Sequence, residues 1–215
     1  MKKYILFFLL VNLTGVCFAD SPLTSTEFYE AYMDIPLVQK AHKNPGKISD
    51  EAKEYLYDEK NPLDVKLAII NAIGWNFDRH YAYFDYMDYS KQKFPKKKHG
   101  FPSTYTVTQD DIYNFASPEQ KAVLIYLTAM ADYFDTEFLR RILRNYMPSE
   151  QLLNTQSFNL AISLALAQIL LDRGDWCEVY NVVNTMFVNA DIKDVRPQAV
   201  NIIMDYINWY KKYCQ

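Results

Sequence analysis

The hydrophobic pattern of the chain is densest at residues 158–171, where the sequence reads FNLAISLALAQILL. At the angular spacing of an α-helix these apolar side chains point in nearly every direction, and only Asn159, Ser163 and Gln168 interrupt them. A helix that is apolar on all sides has to be covered by other elements, and these fourteen residues are too few to cross a bilayer. The pattern therefore predicts a central core helix with other helices packed against it.

Capping residues, prolines and apolar spacing divide the rest of the chain into further helices. The expected segments are residues 26–42 with a break near Ile35, 49–57, 63–77, 78–92, 108–115, 118–133, 135–146, 175–190 and 196–213. Pro36 places the break, because proline removes a helical hydrogen bond and restricts the residue before it. No segment has a convincing strand pattern. The sequence predicts an all-α fold of paired antiparallel helices, either a helical-repeat-like array or an irregular bundle.

One turn between two of these helices has a distinctive sequence. Residues 165–183 read ALAQILLDRGDWCEVYNVV, with Arg173-Gly174-Asp175-Trp176 at the turn. This run of about twenty residues resembles the turn of a tetratricopeptide repeat, in which a Gly-Asp-aromatic turn joins an apolar first helix to a second. The resemblance implies a curved array of helical pairs that binds peptides or proteins. Because the chain has no regular repeat period, the irregular bundle stays open as the alternative.

The first nineteen residues have the order of a secretory signal peptide. Lys2 and Lys3 precede the apolar run YILFFLLV, and small residues lead to Cys17 and Ala19. Cleavage after Ala19 leaves residues 20–215 as a single all-α domain that is periplasmic or secreted and has no membrane span. The run LTGVC resembles a lipobox, so a lipoprotein acylated at Cys17 is an alternative, and a retained membrane anchor is another.

Composition and charge narrow the functional classes. Half of the 215 residues are hydrophobic and only five are glycine, which indicates one folded helical domain with a substantial core. The formal net charge is −3, and removal of Lys2 and Lys3 with the signal peptide makes it about −5. Nucleic-acid binding usually needs a basic face, so no nucleic-acid partner is expected.

Two cysteines remain after cleavage, and we expect them to form a disulfide. Exported proteins meet an oxidising compartment, in which a pair of cysteines tends to join. Cys177 opens one predicted helix and Cys214 closes the last, so an antiparallel hairpin turning near Lys193 brings them to the same end. The bridge closes a loop of 37 residues, worth roughly 3–4 kcal/mol in the chain-entropy model. Two unrelated buried thiols are the alternative.

The predicted helix 78–92 carries more aromatic residues than one buried face needs. One stripe, expected to face the core, consists of Phe77, Tyr81, Phe84 and Met87. Outside it lie Tyr83, Tyr86 and Tyr89, which form an amphipathic binding patch if they are exposed. The alternative is a helix sandwiched between neighbours on both sides, with these tyrosines buried.

Residues 93–108 form a predicted basic loop next to this helix. Its lysines Lys96, Lys97 and Lys98 can contact an acidic partner, an anionic glycan or lipid head groups, unless the loop is only solvated. We expect a non-catalytic protein that recognises a protein or peptide through the tyrosines and this loop. A carbohydrate or envelope-polymer binding protein is the second hypothesis, and an enzyme without a local motif is the third.

Motifs for catalysis or cofactor binding are absent from the sequence. The three histidines, His42, His80 and His99, form no metal-binding pair of the HExxH type. No nucleophile elbow, phosphate-binding loop, dinucleotide fingerprint or calcium-loop spacing occurs. We therefore predict no catalytic residue, no metal site and no cofactor.

Overall fold

A computed structural model describes residues 21–74, 81–132, 134–147 and 154–215 of the chain. The predicted signal peptide, with Cys17, lies outside these residues. The described helices are α1 (Pro36–His42), α2 (Asp50–Tyr57), α3 (Leu63–Ile73), α4 (Tyr81–Lys93), α5 (Gln109–Phe115), α6 (Pro118–Ala131), α7 (Thr136–Tyr146), α8 (Gln156–Asp172), α9 (Trp176–Val183) and α10 (Pro197–Ile207). Short 3₁₀-helices occupy Phe28–Tyr32 and Asn208–Tyr213, and a π-helical turn occupies Asn184–Val188. No strand occurs in the described ranges, and the all-α prediction is confirmed.

Local capping explains why most helices begin where the sequence indicates. The Ser117 hydroxyl accepts a hydrogen bond from the Gln120 amide at 3.3 Å, and Pro118 is the first residue of α6. Thr108 and Asp111 form a reciprocal capping box at the start of α5. The break expected near Ile35 is confirmed, because α1 begins at Pro36 after a separate 3₁₀-helix.

Two helices form the centre of the molecule. Helix α8 packs against α3, α6, α7 and α9, and α6 packs against α3, α4, α7 and α8. Ala161 and Ala165, on α8, are fully buried, and their small side chains allow neighbouring helices to approach closely. The predicted core helix is therefore confirmed, although it begins two residues earlier than its apolar run.

The turn that resembles a tetratricopeptide repeat joins α8 to α9. Gly174 has a φ of 76°, the left-handed conformation that glycine adopts without a steric penalty. Asp175 directly precedes the first residue of α9, but its side chain makes no capping hydrogen bond there. Instead it pairs with Arg173 at 3.5 Å. The turn geometry agrees with the sequence pattern, and membership of a repeat family stays a prediction.

Candidate functional site

The tyrosines of α4 do not form the exposed patch that the sequence suggested. Tyr83 and Tyr86 are only 2% and 1% exposed, whereas Phe84, expected in the core stripe, is 54% exposed. The reason is that α4 packs against α2, α5 and α6, so that its buried face is rotated relative to the predicted stripe. The burial of Tyr83 and Tyr86 agrees with the alternative of a helix packed between neighbours, and of the three tyrosines only Tyr89 is half-exposed. Their role in binding stays a prediction.

The buried tyrosines have structural partners. The Tyr83 hydroxyl lies 3.4 Å from that of Tyr113, which in turn lies 3.2 Å from the Thr128 hydroxyl. Burial raises the pKa of Tyr83 and of Tyr113. This chain of hydroxyl groups links α4, α5 and α6, so these tyrosines stabilise the fold.

A cleft of about 540 Å³ opens between α2, α4, the basic loop, α5 and α6. Its aromatic lining consists of Tyr57, Tyr86, Tyr89, Phe94, His99 and Phe115. Its charged lining consists of Glu54, Asp58, Glu59, Lys60, Lys93 and Lys98. The cleft therefore unites Tyr86, Tyr89 and Lys98 from the predicted binding residues, but Tyr83, Lys96 and Lys97 are not part of its lining.

One wall of the cleft is a contact between α2 and the end of α4. The rings of Tyr57 and Tyr89 meet edge to face with centroids 5.8 Å apart. The Tyr57 hydroxyl donates a hydrogen bond to the Lys93 carbonyl at 3.2 Å, and the Lys93 ammonium lies 5.4 Å from the Tyr89 ring centroid. Tyr89 is thus held in one orientation while it remains accessible from the cleft.

Another part of the lining comes from the loop between α4 and α5, which is folded around an aromatic cluster. Phe94 is buried and stacks on His99 with ring centroids 5.1 Å apart, and His99 contacts Phe115 at 4.6 Å. Lys96 donates a hydrogen bond to the Ser103 carbonyl at 3.1 Å, which fixes its side chain within the loop. Lys97 and Lys98 point into solvent, with Lys98 at the cleft.

The lining of the cleft carries charges of both signs. Glu54, Asp58, Glu59 and Lys60 come from α2 and the segment after it, whereas Lys93 and Lys98 come from the end of α4 and the loop. Lys66, which is 1% exposed, is close enough to be affected by two of these carboxylates: burial lowers its pKa, and Asp58, Glu59 and Glu119 oppose that shift. Sequence analysis missed the acidic residues of the lining, since α2 and the loop are separated by two helices in the chain.

The predicted disulfide is present and is not part of the cleft lining. The sulfur atoms of Cys177 and Cys214 are 2.18 Å apart, and the bridge joins the start of α9 to the C-terminal segment.

In the described ranges no three His, Cys, Asp or Glu side chains lie close enough to share a metal ion. None of the described helices has the length and apolarity needed to cross a membrane.

Comparison of the chain with protein-family models, with curated proteins and with solved structures gives no match. The functional inference therefore depends on the chemistry of the cleft.

Proposed function

We propose that this chain is an exported, non-catalytic binding protein that recognises a peptide or an extended segment of another protein in the cleft between α2, α4 and the basic loop. The observation that supports the proposal most directly is the pairing of accessible aromatic rings with both signs of charge in one cleft. Its volume of about 540 Å³ lies within the range of ligand-binding clefts.

The mixed charge favours a polypeptide ligand. A peptide carries cationic and anionic groups together with apolar side chains, so it can satisfy Glu54 and Asp58 as well as Lys98. Tyr89 and the 45% exposed Phe115 offer ring faces for its apolar side chains. An anionic glycan or envelope polymer would contact Lys60, Lys93 and Lys98 favourably but would meet repulsion from the three carboxylates, Glu54, Asp58 and Glu59.

Export is supported by the Cys177–Cys214 disulfide, because such bridges persist mainly in oxidising compartments. The basic and apolar order of the first nineteen residues supports the same location. Mass spectrometry of the mature N-terminus separates cleavage after Ala19 from acylation at Cys17.

The binding proposal is tested by selecting peptides from a displayed library on the purified protein and measuring their affinities by fluorescence anisotropy. We expect Tyr89→Ala and Lys98→Glu each to weaken binding about tenfold, as for a central interface residue. Tyr180→Ala is the matched control for Tyr89, since Tyr180 is also half-buried and has Lys211 5.6 Å from its ring centroid. Lys43→Glu, at another exposed lysine, controls for the charge change.

Equal losses in the test and control variants would contradict this location for the site. A purified acidic polysaccharide provides the second arm of the experiment. If it binds in a Tyr89-dependent way while no peptide is selected, the carbohydrate hypothesis replaces the peptide hypothesis.

A further inference from the structure

A second concave surface lies between α7, α8 and α9, away from the cleft described above. It is an open groove of about 550 Å³ whose lining is almost entirely aliphatic except for three arginines. Leu143, Ile162 and Ile169 are buried in its floor, and Leu166 and Met186 are half-exposed on its walls. Aliphatic side chains left partly in water along a groove mark a surface suited to an apolar partner.

The groove follows one face of α8. The lining residues from α8 and its C-cap are spaced one, three or four positions apart, which places them along one side of the helix. They are Ile162, Leu166, Ile169, Leu170 and Arg173. From Ile162 to Arg173 this face is about 17 Å long at the rise of an α-helix. That length corresponds to about three turns of a second helix lying in the groove.

The arginines are distributed along the groove. Arg140 and Arg144 are one turn apart on α7 and form a basic row on one wall. The Thr136 hydroxyl at the start of α7 donates to the Asp172 carboxylate at the end of α8, at 2.8 Å, so the two helices are antiparallel. This arrangement places Arg173 near the Arg140 end of the groove.

Two of the arginines already have acidic partners at the surface. Arg140 contacts Glu137 at 2.8 Å and Arg173 contacts Asp175 at 3.5 Å. Arg144 is exposed and has no ion pair within the described part of the chain. It therefore offers a guanidinium group to an incoming carboxylate.

We propose that this groove docks an amphipathic α-helix of a partner protein, with an apolar stripe of about three turns flanked by acidic side chains. The aliphatic floor accepts the stripe, and the basic row on α7 matches carboxylates that recur one turn apart on the bound helix. A single-chain fatty acid has only one carboxylate, so it would match a groove whose basic residues are clustered at one end. In this groove the arginines are distributed along the length, which favours a helix with several carboxylates. The surface is separate from the cleft, so this proposal stands or fails independently of the proposed function.

The test uses a fluorescein-labelled, helix-stapled peptide of three turns, with leucines on one face and glutamates on both flanks. A matched peptide has lysines in place of the glutamates. With the full mature protein, we expect the acidic peptide to form a one-to-one complex at least about tenfold tighter than the basic peptide. Absence of binding by the acidic peptide, or equal affinities for the two peptides, would overturn the proposal.

Charge reversal of neighbouring arginines locates the site. Arg144→Glu is expected to lower the affinity for the acidic peptide about tenfold and to raise the affinity for the basic peptide. Arg141→Glu, on the same helix but outside the groove lining, is the matched control and is expected to change either affinity less than about twofold. Equal effects of the two reversals would refute docking in this groove.

Two further measurements separate the alternatives. Lys98→Glu, in the other cleft, is expected to leave the affinity for the acidic peptide unchanged, and a large loss would assign the peptide to that cleft instead.

Dodecanoate is the competitor for the fatty-acid alternative. If it displaces the acidic peptide with comparable affinity and the Arg144→Glu variant no longer binds it, the groove is a site for a single-chain amphiphile and the helix proposal is wrong.

Discussion

The guanidinium group of Arg196 lies 4.5 Å from the centre of the Tyr32 ring. The Arg196 backbone amide also donates a hydrogen bond to the Tyr32 hydroxyl at 3.2 Å, and that hydroxyl donates to the Asp64 carboxylate at 2.9 Å. Arg196 further donates to the Ala31 carbonyl at 2.8 Å and forms an ion pair with Asp34. Residues from the first described helix, from α3 and from the start of α10 therefore meet at one point.

Replacement of Arg196 by alanine is expected to lower the free energy of unfolding by about 1–2 kcal/mol. The loss comes from the stacking on Tyr32 and the hydrogen bond to Ala31, because the ion pair with Asp34 is exposed to solvent and contributes little. Urea unfolding followed by circular dichroism measures the change. Arg173→Ala, which removes another arginine–aspartate contact at the surface, is expected to have almost no effect, and an equal loss there would contradict the assignment.

The carboxyl group of Asp64 makes the stability depend on pH. Burial raises its pKa above the ordinary value and nearby Asp194 adds to this, although the hydrogen bond from Tyr32 opposes the shift. Because the pKa of Asp64 is raised in the folded protein, folding favours the protonated carboxyl group. The stability gained in this way is complete at pH values below the pKa of Asp64 in the unfolded chain. It is lost as the pH rises through the pKa of Asp64 in the folded protein.

Asp64→Asn removes this ionisation while keeping an oxygen that can accept the Tyr32 hydrogen bond. We expect the unfolding free energy of the variant, relative to the wild type, to increase between a pH of about 4 and neutral pH. Urea unfolding at both pH values measures the difference. If the stability of the variant relative to the wild type stays constant or falls over this pH range, burial in the folded protein does not disfavour the charged form of Asp64.

Asn71 connects three buried segments through its amide group. Its oxygen accepts from the Tyr29 amide at 3.0 Å, and its nitrogen donates to the Thr26 carbonyl and the Tyr126 hydroxyl, both at 3.1 Å. Asn71→Leu keeps the volume but leaves these groups unsatisfied, so we expect a loss of about 2–4 kcal/mol. Hydrogen exchange should show reduced protection of the Tyr29 amide. The control is Asn114→Leu at an exposed site, and similar losses in both variants would contradict the proposed network.

Helix starts could be predicted because their signals are local. Ser117, Pro118 and Gln120 are close in sequence and satisfy the helix terminus among themselves, so no tertiary contact is needed to place α6. The break before Pro36 has the same kind of local cause.

The exposed face of α4 could not be predicted in the same way. Tyr83, Phe84 and Tyr86 are all large aromatic residues, so their spacing does not reveal which of them face the core. That choice depends on the packing of α2, α5 and α6 against the helix. The cleft was missed for a related reason, since Glu54 and Lys98 approach each other only after the chain has folded.

Reduction of the Cys177–Cys214 disulfide is expected to lower stability by about 3–4 kcal/mol, because the bridge restricts a loop of 37 residues in the unfolded chain. The urea midpoint measured with and without dithiothreitol gives the change. Trp176 contacts Tyr213 with ring centroids 4.5 Å apart next to the bridge, so its fluorescence reports loosening of the C-terminal segment in the folded protein. The double variant Cys177→Ser/Cys214→Ser should resemble the reduced wild type and be insensitive to the reductant. If dithiothreitol leaves the wild-type midpoint unchanged, the expected contribution of the bridge to stability is contradicted.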